Sequence, residues 1–239
     1  MIRKKLDIKK GFIFVLLLVL FDQLIKFYIK LNFPLTLYNQ PAIIDLGVFK
    51  LLFIENKGMA MGARLNNLLP FLDDYTAKLS LTLFRIIAVF GIGYWLISTL
   101  KKNKSNLLKI TLCLIFAGAL GNIIDSVFYG QLFSSSYGQV AAFWPEAGYA
   151  PLFFGNVVDM LQFPITTWTW PEWLPFIGGQ SFTFFEYVFN FADAYISTGV
   201  LILIFRRLIL ILLVVPTFAF FNFIFPNFLT RGLLPSTFS

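Results

Sequence analysis

The sequence contains no histidine and a single cysteine, Cys113, and only 13% of its 239 residues are charged. The first two absences exclude Ser-His-Asp and Cys-His catalysis, histidine metal sites and any disulfide framework. The third excludes a soluble enzyme, because a soluble domain carries roughly 25% charged residues. What is present instead is apolar: 58% of the chain is hydrophobic, 31 residues are phenylalanine, and these residues gather into long blocks. Much of the surface must face lipid. Chemistry, where it occurs, is left to carboxylates, hydroxyls, amides and lysines. The net charge of +7 does not point to nucleic acid, because the basic residues lie between apolar blocks and not in a run with interleaved aromatics. They fit a membrane surface.

Four blocks reach or approach the roughly 20 residues that cross a bilayer: 12–28, 79–100, 107–128 and 187–205. The first follows Arg3, Lys4, Lys5, Lys9 and Lys10 like a signal peptide, but it holds Asp22 and Lys26 and no small-residue cleavage site follows, so it reads as a retained anchor. Cytoplasmic loops are enriched in Lys and Arg. The N-terminal cluster, Lys101, Lys102, Lys104 and Lys109, and the pair Arg206 and Arg207 mark the inner side. Residues 129–186 hold neither Lys nor Arg and are expected outside with residues 31–78. The expected fold is an all-α membrane protein of four transmembrane helices, with a small β-rich segment outside. Residues 66–78 read as a short helix on the membrane surface. Residues 129–186, with four of the five tryptophans and frequent proline, are expected to form a long irregular aromatic-rich loop at the headgroup level. Residues 1–207 read as one unit and 208–239 as an apolar tail of unassigned role.

Carboxylates within spans are expensive and need a reason. The topology brings Asp22, Lys26, Arg85, Asp125 and Asp193 to one outer layer, and Asp159 can reach it from the outer loop. Asp22 and Lys26 have i,i+4 spacing and can neutralise each other, and Arg85 is expected to pair with one of the aspartates. Asn122 and Asp125, and likewise Asn190 and Asp193, are three apart on one helical face, so each amide can hold a carboxylate in orientation. Asp125 reads equally as packing and as site support. Gly118 and Gly121 permit close helix approach.

The stretches Asp22-Gln23-Leu24-Ile25-Lys26, Glu55-Asn56-Lys57-Gly58-Met59-Ala60-Met61-Gly62, Gly121-Asn122-Ile123-Ile124-Asp125, Gly155-Asn156-Val157-Val158-Asp159 and Phe189-Asn190-Phe191-Ala192-Asp193 occur in the order of the motifs of the lipoprotein signal peptidases, and the chain resembles that family, signal peptidase II, over roughly 12–207. The resemblance implies a four-span aspartic endopeptidase of the bacterial cytoplasmic (inner) membrane. Such an enzyme removes the signal peptide from diacylglyceryl-modified prolipoproteins on the amino side of the lipidated cysteine. It implies Asp159 and Asp193 as the catalytic pair, with Asp22, Lys26, Asn56, Gly58, Arg85, Asn122, Asp125 and Asn190 shaping or supporting the site. The charge pattern puts the N-terminus in the cytoplasm and the acidic layer at the extracytoplasmic face, a carboxylate pair needs no metal or other cofactor, and a monomer in membrane lipid is expected. Ser126 stands where the family usually has Arg.

Two rival readings use the same residues. A proton-coupled transporter also carries intramembrane carboxylates, but the acids here gather in one layer and no inverted repeat is visible. A non-catalytic scaffold would use them only to pair with Lys26 and Arg85, and would tolerate Asp159→Asn and Asp193→Asn.

Overall fold

The computed structural model describes residues 6–36, 41–57, 73–102 and 104–224, with side chains as far as residue 208. Gly58 and most of the expected surface helix lie outside these residues.

Three helices among the described residues are long and apolar enough to cross a membrane. Each begins at a side-chain cap that satisfies an otherwise unpaired backbone N–H. Helix α1, Ile8–Asn32, is capped by Asp7, which accepts from the Lys10 N–H. Helix α2, Asp74–Lys101, is capped by Asp73, which accepts from Thr76. This cap starts α2 five residues before the apolar block, so residues 74–78 belong to α2 and not to a separate surface helix. Helix α3, Asn106–Ile124, is capped by Ser105. It continues through a π-helical turn, Asp125–Tyr129, into a final turn, Gly130–Leu132. Such single π turns often mark functional positions, and this one begins at Asp125.

Helices α1, α2 and α3 pack around Val15, Val19, Leu96, Leu112, Cys113 and Ala117. Away from that contact they are apolar too: Phe84, Ile87, Phe90 and Tyr94 of α2 are all exposed, as expected of a lipid-facing surface. A fourth helix, α4, spans Phe191–Ile224. The chain divides into two compact units, Met1–Gly199 and Val200–Ser239, and α4 begins in the first and runs into the second.

A four-stranded antiparallel sheet lies in the first unit, in the order β1, β2, β3, β6. Its strands are Ile44–Asp45, Lys50–Asn56, Val157–Gln162 and Val188–Phe189. Strand β2 pairs with β3 so that Ile54 lies opposite Asp159 and Asn56 opposite Val157. A core of Ile29, Phe53, Tyr129, Phe133, Val158 and Met160 joins the sheet to the end of α1.

Residues 129–186 differ from the expected irregular loop. They contain β3 and a separate two-stranded antiparallel sheet, β4 (Thr166–Thr169) with β5 (Ser181–Phe184). The prolines flank these strands instead of interrupting them. Pro164 precedes β4, and Pro171 and Pro175 lie in the connection to β5, positions that need no ladder N–H. The β-branched and aromatic run Thr-Thr-Trp-Thr then supplies ordinary strand propensity.

Candidate active site

Close approach of helix backbones assembles the site. A Cβ at Gly118 would stand 2.2 Å from the Ala192 carbonyl oxygen, and one at Gly121 would stand 2.8 Å from Asp22 Oδ2. Only glycine therefore lets α3 lie against the first turn of α4 and the middle of α1.

Lys26 is fully buried at the centre. Its Nζ is 2.8 Å from Asp22 Oδ2, 2.8 Å from Asp125 Oδ2 and 3.1 Å from Asn122 Oδ1. The expected pair with Asp22 is thus one side of a triad that includes Asp125. Buried charges require such pairing and further hydrogen bonds, and each carboxylate has them. Gln23 Nε2 donates to Asp125 Oδ1 at 2.9 Å while Tyr129 Oη donates to Gln23 Oε1 at 3.0 Å.

Both carboxylates of the triad also accept backbone N–H groups. Asp22 Oδ1 accepts from Ala192 N at 2.9 Å, and Asp125 Oδ2 accepts from Val158 N at 3.3 Å. Ala192 directly precedes Asp193, and Val158 directly precedes Asp159. One lysine with two carboxylates therefore fixes the backbone that carries both outer aspartates.

Those two aspartates meet through Asn190. Its Nδ2 donates to Asp159 Oδ1 at 2.7 Å, and its backbone N–H donates to Asp193 Oδ2 at 3.3 Å. Asn190 Oδ1 in turn accepts from Asp193 N at 2.9 Å, so the two residues cap the start of α4 reciprocally. Asn122 Nδ2 donates to Asp193 Oδ1 at 2.7 Å, and Asn56 Nδ2 to Asp159 Oδ2 at 3.2 Å. The amides thus act differently from the expectation drawn from their spacing. Asn122 orients a carboxylate on α4, not Asp125 on its own helix, and the side-chain amide of Asn190 reaches across to β3.

Asp159 is 4% exposed, and Asp193 is half-buried. Burial, with the nearby charge of Asp193, pushes the Asp159 carboxyl up to about 7, against the opposing pull of the Asn56 and Asn190 amides. Arg85 Nη1 donates to Ser126 Oγ at 3.1 Å, and the Ser126 hydroxyl donates to the Asn122 carbonyl oxygen.

A second buried cluster escaped sequence reasoning. Lys30 Nζ donates to Glu55 Oε1 and, at 2.9 Å, to Ser136 Oγ, while Asn156 Nδ2 donates to Glu55 Oε2 at 3.0 Å. The Lys30 ammonium lies 4.9 to 5.6 Å from the ring centres of Tyr149, Phe133 and Phe53, within cation–π range. The cluster ties α1 to β2 beside Asn56 and to the residues preceding β3. The signal was available: Asp22, Lys26 and Lys30 recur at four-residue spacing, and Glu55 adjoins Asn56. Among the described residues no group of three or more acidic, histidine or cysteine side chains is placed to hold a metal ion.

A family model described as signal peptidase (SPase) II matches residues 14–209, a range that includes every residue of this site. A lipoprotein signal peptidase of Porphyromonas gingivalis is 42% identical over 193 residues, covering 80% of this chain and 79% of that protein. One of Amoebophilus asiaticus is 34% identical over 191 residues, covering 79% and 73%. A solved structure of a bacterial membrane enzyme, determined by the in meso method at 2.3 Å resolution, superposes with a TM-score of 0.54 at 22% identity over 87% of this chain and 93% of that one, and shares the fold. With most of its length matched in sequence, and with the buried carboxylates and amides all inside the match, the chain belongs to the signal peptidase II family.

Proposed function

We propose that this protein is the aspartic endopeptidase of a bacterial inner membrane that removes signal peptides from diacylglyceryl-modified prolipoproteins, cutting on the amino side of the lipidated cysteine. Family membership supports the protease and its prolipoprotein substrates. The observation that carries the mechanism is Asn190 holding Asp159 and Asp193 at once. In this reading α4 supplies a fourth span, residues 31–78 and 129–186 lie outside, the N-terminus is cytoplasmic, and residues 1–207 work as one monomeric unit surrounded by lipid.

Two carboxylates held close do not both ionise readily, so the pair shares one proton and offers a base and an acid together. Asp193, half-buried, takes a proton from water as its oxygen adds to the scissile carbonyl carbon. Asp159 donates its proton to the carbonyl oxygen. When the tetrahedral intermediate collapses, Asp193 returns a proton to the leaving nitrogen, the C–N bond breaks, and the hydroxyl proton goes back to Asp159. Asn56, Asn122 and Asn190 orient the pair. Asp22, Lys26 and Asp125 hold the backbone beneath it, and Arg85, anchored on Ser126, tempers the negative charge.

The pH dependence follows with a definite sign. Asp159 is raised from the ordinary carboxylate range to about 7, so its neutral form predominates below that value and is lost above it. The value of kcat/KM should therefore fall as pH rises through about 7, because it reports the substrate-free enzyme. Measuring it with substrate well below KM from about pH 5 to about pH 9 checks this, and an alkaline limb absent below pH 9 would remove the acid role from Asp159. The function itself is tested by incubating purified protein with a purified diacylated prolipoprotein. A shift to the shorter product is expected, with an unlipidated precursor left uncut. An unshifted lipidated precursor would refute the proposal.

A further inference from the structure

The β4–β5 hairpin takes no part in the site. Its cross-strand register puts Thr166 opposite Phe184, Thr167 opposite Thr183, Trp168 opposite Phe182 and Thr169 opposite Ser181. Opposed residues share a face and successive residues alternate, so the two faces differ sharply. One carries Trp168, Phe182 and Phe184 with Thr166 at its edge, and the Trp168 and Phe182 ring centres are 4.7 Å apart. The other carries Thr167, Thr183, Thr169 and Ser181, with the two central threonine hydroxyls hydrogen-bonded at 3.0 Å.

An isolated two-stranded hairpin is at best marginally stable in water, and among the described residues this one pairs with no third strand. Its tip adds to the problem. Trp173 is 78% exposed, and Phe176 is 97% exposed in the left-handed region at φ +70°. For a bulky residue that conformation costs roughly 1–2 kcal/mol, and packing within the chain returns little at such exposure. Among the described residues nothing completes the apolar face and tip.

The charge pattern identifies its chemistry. Residues 129–186 hold no Lys or Arg, and between Pro164 and Phe185 Glu172 is the one charged residue. The root of the hairpin, where the Phe163 and Phe189 rings stack and Gln162 Nε2 donates to the Glu186 carbonyl oxygen, lies within two residues of the start of α4. A face of tryptophan and phenylalanine backed by hydroxyls matches the polarity gradient at the headgroup boundary. We propose that the β4–β5 hairpin is an interfacial anchor that seats its aromatic face and tip in the lipid of the membrane that holds the helices. Having no basic residue, it needs no anionic lipid. This inference is independent of the aspartate mechanism.

Replacing Trp95 and Trp144 with phenylalanine leaves Trp168, Trp170 and Trp173 as reporters, all in the hairpin. The full-length variant is placed in phosphatidylcholine nanodiscs with or without bromine on the acyl chains. Strong quenching by bromolipid, protection from aqueous acrylamide, and no further change on adding phosphatidylglycerol are expected. Adding Trp173→Ser and Phe176→Ser should reduce bromolipid quenching of the remaining two indoles while prolipoprotein cleavage in detergent persists. Full acrylamide quenching without bromolipid quenching would overturn the anchor. So would shielding that appears only as protein concentration rises in detergent, which would assign the face to a second copy.

Discussion

Asp159→Asn and Asp193→Asn are each expected to lower the rate of prolipoprotein cleavage roughly 100- to 10,000-fold, the range that general acid-base steps contribute. An amide keeps the shape of a carboxyl but cannot exchange its proton. The substitutions carry a cost in stability as well. Both Asp159 oxygens accept from amide N–H donors, and both Asp193 oxygens accept from Asn122 and Asn190. An asparagine at either place therefore sets one NH2 against a donor, which costs about 1–3 kcal/mol. Each variant should unfold at a lower temperature in detergent yet remain folded at assay temperature and bind lipidated precursor. Asp125→Asn separates the roles, because it touches Lys26, Gln23 and the Val158 N–H but not the outer pair. It should lose stability and retain measurable cleavage. Cleavage by Asp159→Asn beside an inactive Asp125→Asn would transfer the catalytic role to the third helix.

Lys26→Met should have the largest effect on stability. It leaves Asp22 and Asp125 buried without the ammonium that lies 2.8 Å from both. Breaking a buried ion pair by removing one partner costs about 3–5 kcal/mol. Arginine is not a conservative replacement, because its planar fork cannot occupy the space of a compact ammonium. The triple variant Lys26→Met/Asp22→Asn/Asp125→Asn should recover most of the loss, since neutralising a buried network as a unit is far less costly than orphaning its charges. Thermal unfolding in detergent measures both. Unfolding of Lys26→Met at the wild-type temperature would show that the triad does not hold the site together.

The membrane helices were legible because apolar runs of their length have no other explanation, and the Asp22–Lys26 pair followed from i,i+4 spacing. The destinations of the amides were not. Spacing within a helix says that Asn122 and Asp125 share a face, but a side-chain N–H donates to whichever carboxylate another element brings near, here Asp193. Gly118 announced a close helix approach, but not that the Ala192 carbonyl is what its missing Cβ admits. The strand that carries Asp159 was also obscured, because β3 is buried along most of its length and lacks the apolar-polar alternation that announces a strand. The β4–β5 hairpin was masked by prolines that proved to flank it. Lys30 sat four residues past one named motif and Glu55 opened another, and only the fold of β2 against α1 makes them partners.

The central claim, that Asp159 and Asp193 act as one unit, is tested most directly by the single-turnover cleavage rate of Asp159→Asn/Asp193→Asn measured beside the two single variants. Members of a catalytic unit are strongly non-additive, since losing either abolishes the step that both serve. The double variant should cleave within a few-fold of the slower single variant, and losses that multiply would mean that the two carboxylates act separately.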